Sequence, residues 1–94
     1  MIEYLAWRPR HEDKLRRHNI SRREVNELVR RRAYLVDEHP DYPDQVRITG
    51  PTSTGRFITV ALQDRRGGTY RPVTGWNATG DEIRRYIQET QGDR

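Results

Sequence analysis

Phe57-Ile58-Thr59-Val60-Ala61-Leu62 decides the fold, because it is a run with one polar residue and almost no alternation. A strand with one wet face alternates apolar and polar residues, so this run predicts a strand at the centre of a sheet with both faces covered. Downstream, Arg65-Arg66-Gly67-Gly68 predicts a hairpin turn into a second strand, Thr69-Tyr70-Arg71-Pro72-Val73-Thr74-Gly75-Trp76. Pro72 has no N–H for a ladder, which predicts an irregular position in that strand. Upstream, Pro51-Thr52-Ser53-Thr54-Gly55 is turn chemistry, and Val46-Arg47-Ile48-Thr49 alternates like a half-buried strand. Ala33 to Val36 predicts a short strand before it.

Helices flank this block. Ser21 followed by Glu24 predicts a capping box, with Ile20 stapled onto Val25 and a core stripe of Val25, Leu28 and Val29. Thr79 and Glu82 repeat the signature before Ile83, Tyr86 and Ile87. Pro9 suits a first helical turn, predicting a helix over about 9–18, after strand-like residues 2–7. The expected order is strand, helix, helix, four strands, helix. That order predicts an α+β domain, a small antiparallel sheet of four to five strands with two N-terminal helices and one C-terminal helix, filling 1–94 as a single unit.

Composition narrows the chemistry. Only 32% of the 94 residues are apolar against 34% charged, with mean hydropathy −1.14, so the core must be small. No stretch approaches a membrane span, and Met1 is followed by acidic and aromatic residues where a signal peptide needs a basic and then an apolar run. A soluble, cytoplasmic protein is expected. Cysteine is absent, which removes disulfides, thiolate nucleophiles and Cys-based metal sites. Phosphate-loop, dinucleotide, zincin and esterase motifs are absent too.

Lys14 is the single lysine among 18 basic residues, and the net charge is +4. Guanidinium forks suit phosphate oxygens, so a phosphate-rich partner is expected. The charge is segmented: residues 1–32 and 45–94 are basic, while 37–44 carry Asp37, Glu38, Asp41 and Asp44 and no lysine or arginine. Nucleic acid would therefore be held away from that acidic, proline-containing loop.

His11, Lys14 and His18 share one face of the first helix, and Arg47, Arg56 and Arg71 lie on the strands. The two histidines are roughly 10.5 Å apart along a helix, too far for one metal ion, so no metal or other cofactor is expected. Metal-independent RNA cleavage needs a base for a 2′-hydroxyl, an acid for the leaving oxygen and fixed positive charge at the phosphorus. Histidine, glutamate and tyrosine can move the protons, and arginine can hold the charge. The plainer reading of the same residues is a solvated basic face, with Glu82 as a helix cap and Trp7 and Trp76 as core.

The order Trp7, Arg17-His18-Asn19-Ile20-Ser21, Glu24-Val25, Gly50, Gly55-Arg56, Arg71-Pro72-Val73-Thr74, then Ala78-Thr79 with Glu82 and Tyr86, resembles the BrnT family over about residues 5–88. These are small bacterial ribonuclease toxins of type II toxin-antitoxin systems with a RelE-like fold. The resemblance implies a metal-independent endoribonuclease that inhibits translation, with RNA and a small cognate antitoxin as partners and an assembly larger than a monomer. It implies Arg10 or Lys14, Arg56, Arg71, Glu82 and Tyr86 as site residues, with Lys14, Arg56, Arg71, Glu82 and Tyr86 taken as catalytic. Arg10, His11, His18, Arg47 and Trp76 are the expected RNA contacts. Three positions depart from the family: Asn19 stands at a usual glycine, Pro51 at a usual basic residue and Trp76 at a usual arginine. The last two remove cations, which points either to a weakened enzyme or to a noncatalytic RNA-binding or protein-interaction module of the same fold.

Overall fold

The strand beginning at Phe57 is central, as its composition requires. A computed structural model describes residues 2–91, with elements β1 (Tyr4–Leu5), α1 (Pro9–Arg16), α2 (Arg22–Arg31), β2 (Leu35–Glu38), β3 (Gln45–Pro51), β4 (Phe57–Asp64), β5 (Thr69–Asn77) and α3 (Gly80–Gln91). They form one five-stranded sheet in the order β1-β5-β4-β3-β2. Strands β2 to β5 are antiparallel neighbours. Only β1 departs from the expected antiparallel sheet: it pairs parallel to β5, because the α1-α2 segment carries the chain away before the hairpins begin.

Register sorts the side chains onto two faces. Ile48 lies opposite Val60, Val46 opposite Leu62 and Gly50 opposite Ile58. These residues face α1 and α2, whose Leu15, Val25, Leu28 and Val29 are buried with Ile20 in the same core. The other face carries Thr49, Thr59, Ala61, Arg47 and Gln63, and α3 packs over its β2-β3 side. There Thr49 and Thr59 share a buried hydroxyl-hydroxyl hydrogen bond of 2.9 Å, which satisfies two polar groups in a dry place.

Local chemistry sets the helix starts. Ser21 Oγ accepts from the Glu24 N–H at 3.1 Å, and Glu24 Oε1 accepts from the Ser21 N–H at 3.0 Å. Ile20 and Val25 are both buried, as a hydrophobic staple requires. Helix α1 ends earlier than expected, at Arg16, and Asn19 turns the chain at φ 59°. Asparagine tolerates that left-handed conformation, so it serves where a glycine was expected. Strand β1 is likewise shorter than the strand-like composition of 2–7, and Pro51 ends β3 rather than opening a turn. In β5 the irregularity expected at Pro72 is a bulge: Thr74 faces Ala61, Pro72 faces Leu62, and Val73 is left without a partner.

Candidate functional site

The expected site residues fall into three groups. The first lies where α3 meets the sheet. Thr79 caps α3 through Oγ1, which accepts from the Glu82 N–H at 3.2 Å, while Glu82 Oε1 accepts from the Thr79 N–H at 2.8 Å. The same carboxylate accepts from the Trp76 indole N–H, at 3.1 and 3.3 Å to its two oxygens. Tyr86, one turn further along, stacks edge-on against Phe57 with ring centroids 5.3 Å apart. Arg47 lies beside this group, opposite Asp37 on β2. Asp37 is held by Arg85 at 2.7 Å, and these residues with Asp81, Glu82 and Thr49 line a cavity of about 150 Å³. The Nε of Arg47 is buried without a partner.

A second group gathers at the β5 edge. Register places Arg71 opposite Gln63, on the α3 face, and near enough to the start of α1 for its charge to act on His11. Partial burial, then the charges of Arg8, Arg65 and Arg10, lower the Arg71 pKa, although a guanidinium stays protonated throughout the physiological range. His11 belongs here too. Burial comes first, then Arg10, Arg71, Arg8 and Lys14, in pushing its imidazole below 6.5. Both His11 Nδ1 and Arg71 Nε are buried without a hydrogen-bond partner. Among the described residues, none of Arg8, Arg10, Lys14, Arg65 and Arg71 forms an ion pair. Crowded cations whose fields already oppose protonation of a histidine make a place where an anion is stabilised.

Arg56 and His18 stand apart from both. The Arg56 guanidinium donates to the Asn19 carbonyl at 2.7 Å and lies 3.7 Å from Glu24, so it ties β4 to the α1-α2 link. His18 is exposed in that link, beyond the end of α1, and so leaves the helical row expected for it with His11 and Lys14.

Strand geometry relates the first two groups. Arg47 and Arg71 share a face, two strands and one two-residue step apart, or roughly 12 Å between Cα atoms. The structure thus brings Arg10, His11, Lys14 and Arg71 together where α1 meets β5, and separately gathers Arg47, Trp76, Glu82 and Tyr86 on the α3 face of the sheet. Arg8 and Arg65 were missed from the sequence. Arg65 reads as a turn residue and Arg8 as a flank of α1; the β4-β5 hairpin brings Arg65 to Arg71, and the parallel β1-β5 pairing brings Arg8. Among the described residues no three of His, Asp and Glu converge as metal ligands would, and no helix is long and apolar enough to cross a membrane.

No protein-family model matches the sequence, and no curated protein does. The fold does have a solved counterpart. The chain is similar to the crystal structure of the ribonuclease toxin BrnT from Brucella abortus, with a TM-score of 0.61 and 12% sequence identity over 84% of this chain and 99% of that one. At that identity the shared property is the α+β fold: a five-stranded sheet with two helices before its hairpins and one after.

Proposed function

We propose that the chain is the toxin of a bacterial type II toxin-antitoxin pair, a cytoplasmic endoribonuclease that needs no metal and inhibits translation by cutting RNA. The observation that carries the reading is the gathering of Arg8, Arg10, His11, Arg65 and Arg71 without ion-pair partners among the described residues, on a fold shared with a ribonuclease toxin. In this reading Arg71 and Lys14 hold the phosphate and stabilise the charge that builds as the 2′-oxygen attacks phosphorus. Arg10, His11 and Arg47 extend the contact to flanking phosphates, with His18 at the far end of α1 and Trp76 offering a ring to a base. Glu82 and Tyr86 are the proton-transfer pair on the α3 side, and Arg56 fixes the α1-α2 link through Asn19 and Glu24. His11, kept neutral near pH 7 by its surroundings, is the rival base in the Arg71 group. A small antitoxin covering the basic edge would keep the enzyme silent, in an assembly larger than a monomer.

The deciding measurement is incubation of the purified protein with RNA in EDTA. Discrete cleavage products that disappear with Arg71→Ala support the reading, and intact RNA with the wild type overturns it. The noncatalytic alternative has its own observation: Trp76 occupies the Glu82 carboxylate, and Arg56 is committed to Asn19 and Glu24. That reading expects RNA retention that weakens steeply with salt and leaves the RNA intact.

A further inference from the structure

Between them α2 and β1 leave a groove of about 420 Å³. Its floor is apolar, since Ile2 and Val29 are buried core residues and Leu5 packs against them. Its rim is basic: Arg22, Arg30 and Arg32 line it against one acid, Glu3. Arg32 has no ion pair among the described residues, and Arg30 reaches Glu27 only at 3.9 Å. One wall is already built, because the Trp7 indole donates to Asn26 Oδ1 at 3.0 Å and the Arg22 guanidinium sits 5.5 Å over the same ring.

β1 is also an outer strand of the sheet. The N–H groups of Tyr4 and Ala6 turn inward to Gly68 and Tyr70, so the alternating pattern of a parallel ladder turns the N–H and C=O of Leu5, a residue that lines the groove, away from β5. An open strand edge is a template for a further strand. Beside it Tyr4 stands 70% exposed.

We propose that this groove takes an extended acidic peptide of another protein, added as a strand on the outer edge of β1, with aliphatic side chains on the floor and carboxylates on Arg22, Arg30 and Arg32. Three features select this occupant. The outward backbone groups match a peptide ladder, which nucleic acid lacks; the apolar floor suits every second side chain of a strand; and the rim charge is opposite to the partner's. The proposal goes beyond RNA chemistry and stands whether or not the protein cuts RNA.

The test uses the whole chain, isotope-labelled, with a synthetic peptide of alternating Val and Glu and a matched Val-Lys peptide. Binding of the Val-Glu peptide should shift the amide of Leu5 and slow its hydrogen exchange, together with signals from the Arg22–Arg32 side. Charge reversal at two exposed positions, Arg30→Glu with Arg32→Glu, should weaken binding about tenfold or more while leaving the unbound spectrum of the core unchanged. Equal binding of the Val-Lys peptide overturns the proposal. So does binding of the Val-Glu peptide that leaves Leu5 unshifted, displacement by a uridine oligonucleotide at the same residues, or self-association of the chain through residues 37–44.

Discussion

The Trp76 indole and the Glu82 carboxylate are locked together, with Nε1–H shared between both oxygens at 3.1 and 3.3 Å while one of those oxygens also caps α3. The cap and the indole compete with any role of this carboxylate in proton transfer, and they set what its replacement does. Glu82→Ala should cost about 1 kcal/mol for the lost cap, with a further contribution from the unpaired indole, read from denaturant unfolding. Glu82→Gln keeps an acceptor for both donors, so its stability should stay near that of the wild type. Loss of RNA cleavage in this second variant would place Glu82 in the chemistry, and retention would leave it a cap.

Arg56 links Asn19 and Glu24 across the start of the helical layer. Arg56→Ala should destabilise the fold by roughly 1–2 kcal/mol, since a carbonyl at a left-handed turn loses its charged donor. Arg56→Lys should recover only part of this, because an ammonium cannot reach two acceptors as a fork does. An Arg56→Lys variant as stable as the wild type in thermal unfolding would show that the guanidinium geometry contributes nothing.

Two glycines should respond in opposite ways to alanine. A Cβ on Gly50 would lie 2.1 Å from the Ala33 carbonyl oxygen and 2.9 Å from Leu28 Cδ1, so the backbone of β3 or of the α2-β2 link must move. Gly50→Ala is expected to cost on the order of 3 kcal/mol. At Gly80 nothing lies nearer than 3.8 Å, and Gly80→Ala at the start of α3 should change stability by no more than about 0.5 kcal/mol.

His11 makes stability depend on mild acid. Burial and its cationic neighbours lower its pKa in the folded chain, so the unfolded chain binds a proton more readily. Stability therefore falls as pH drops below 6.5 and levels off beneath the lower folded value. His11→Gln should flatten this slope in unfolding measured between about pH 7 and pH 5. In cleavage assays the same shift lets His11 act as a base down to lower pH than a free imidazole, so an acidic limb lying below 6.5 and abolished in His11→Gln would identify it.

Phosphate contact at the β5 edge predicts a salt signature. Replacing Arg71 or Arg10 by alanine should weaken RNA retention and reduce the slope of log affinity against log salt by about one for each phosphate contact removed. Lys14→Ala should show the same change with a smaller loss, because Lys14 is exposed and less closely held. Slopes unchanged in all three variants would remove this edge from the RNA surface.

Much of the fold was legible because its signals are local. Ser21 with Glu24, and Thr79 with Glu82, are four-residue patterns whose hydrogen bonds close within the pattern. The centrality of β4 follows from its composition alone. The Pro72 irregularity follows from a missing donor, although its form, an unpaired Val73, depends on the partner strand. The parallel placement of β1 was not legible, since two residues carry too little pattern to choose a neighbour. The site shared this limit. Residue types named Arg71 and His11, but their company, Arg8 and Arg65, comes from segments more than fifty residues apart that meet only through β1 and the β4-β5 hairpin.

The unpaired Val73 is a phase shifter for everything N-terminal to it in β5. Were Val73 paired with Leu62 instead of left out of the ladder, Thr74 against Ala61 would put Pro72 opposite Gln63 and Arg71 opposite Asp64, exchanging their faces. The proline would then lie on the polar side and the guanidinium would be driven toward the core. Deleting Val73 should therefore leave Arg71 on its present face, because Pro72 then follows Thr74 in a regular register against Leu62; closing the bulge with Val73 retained is what would move the positive charge to the other side of the sheet.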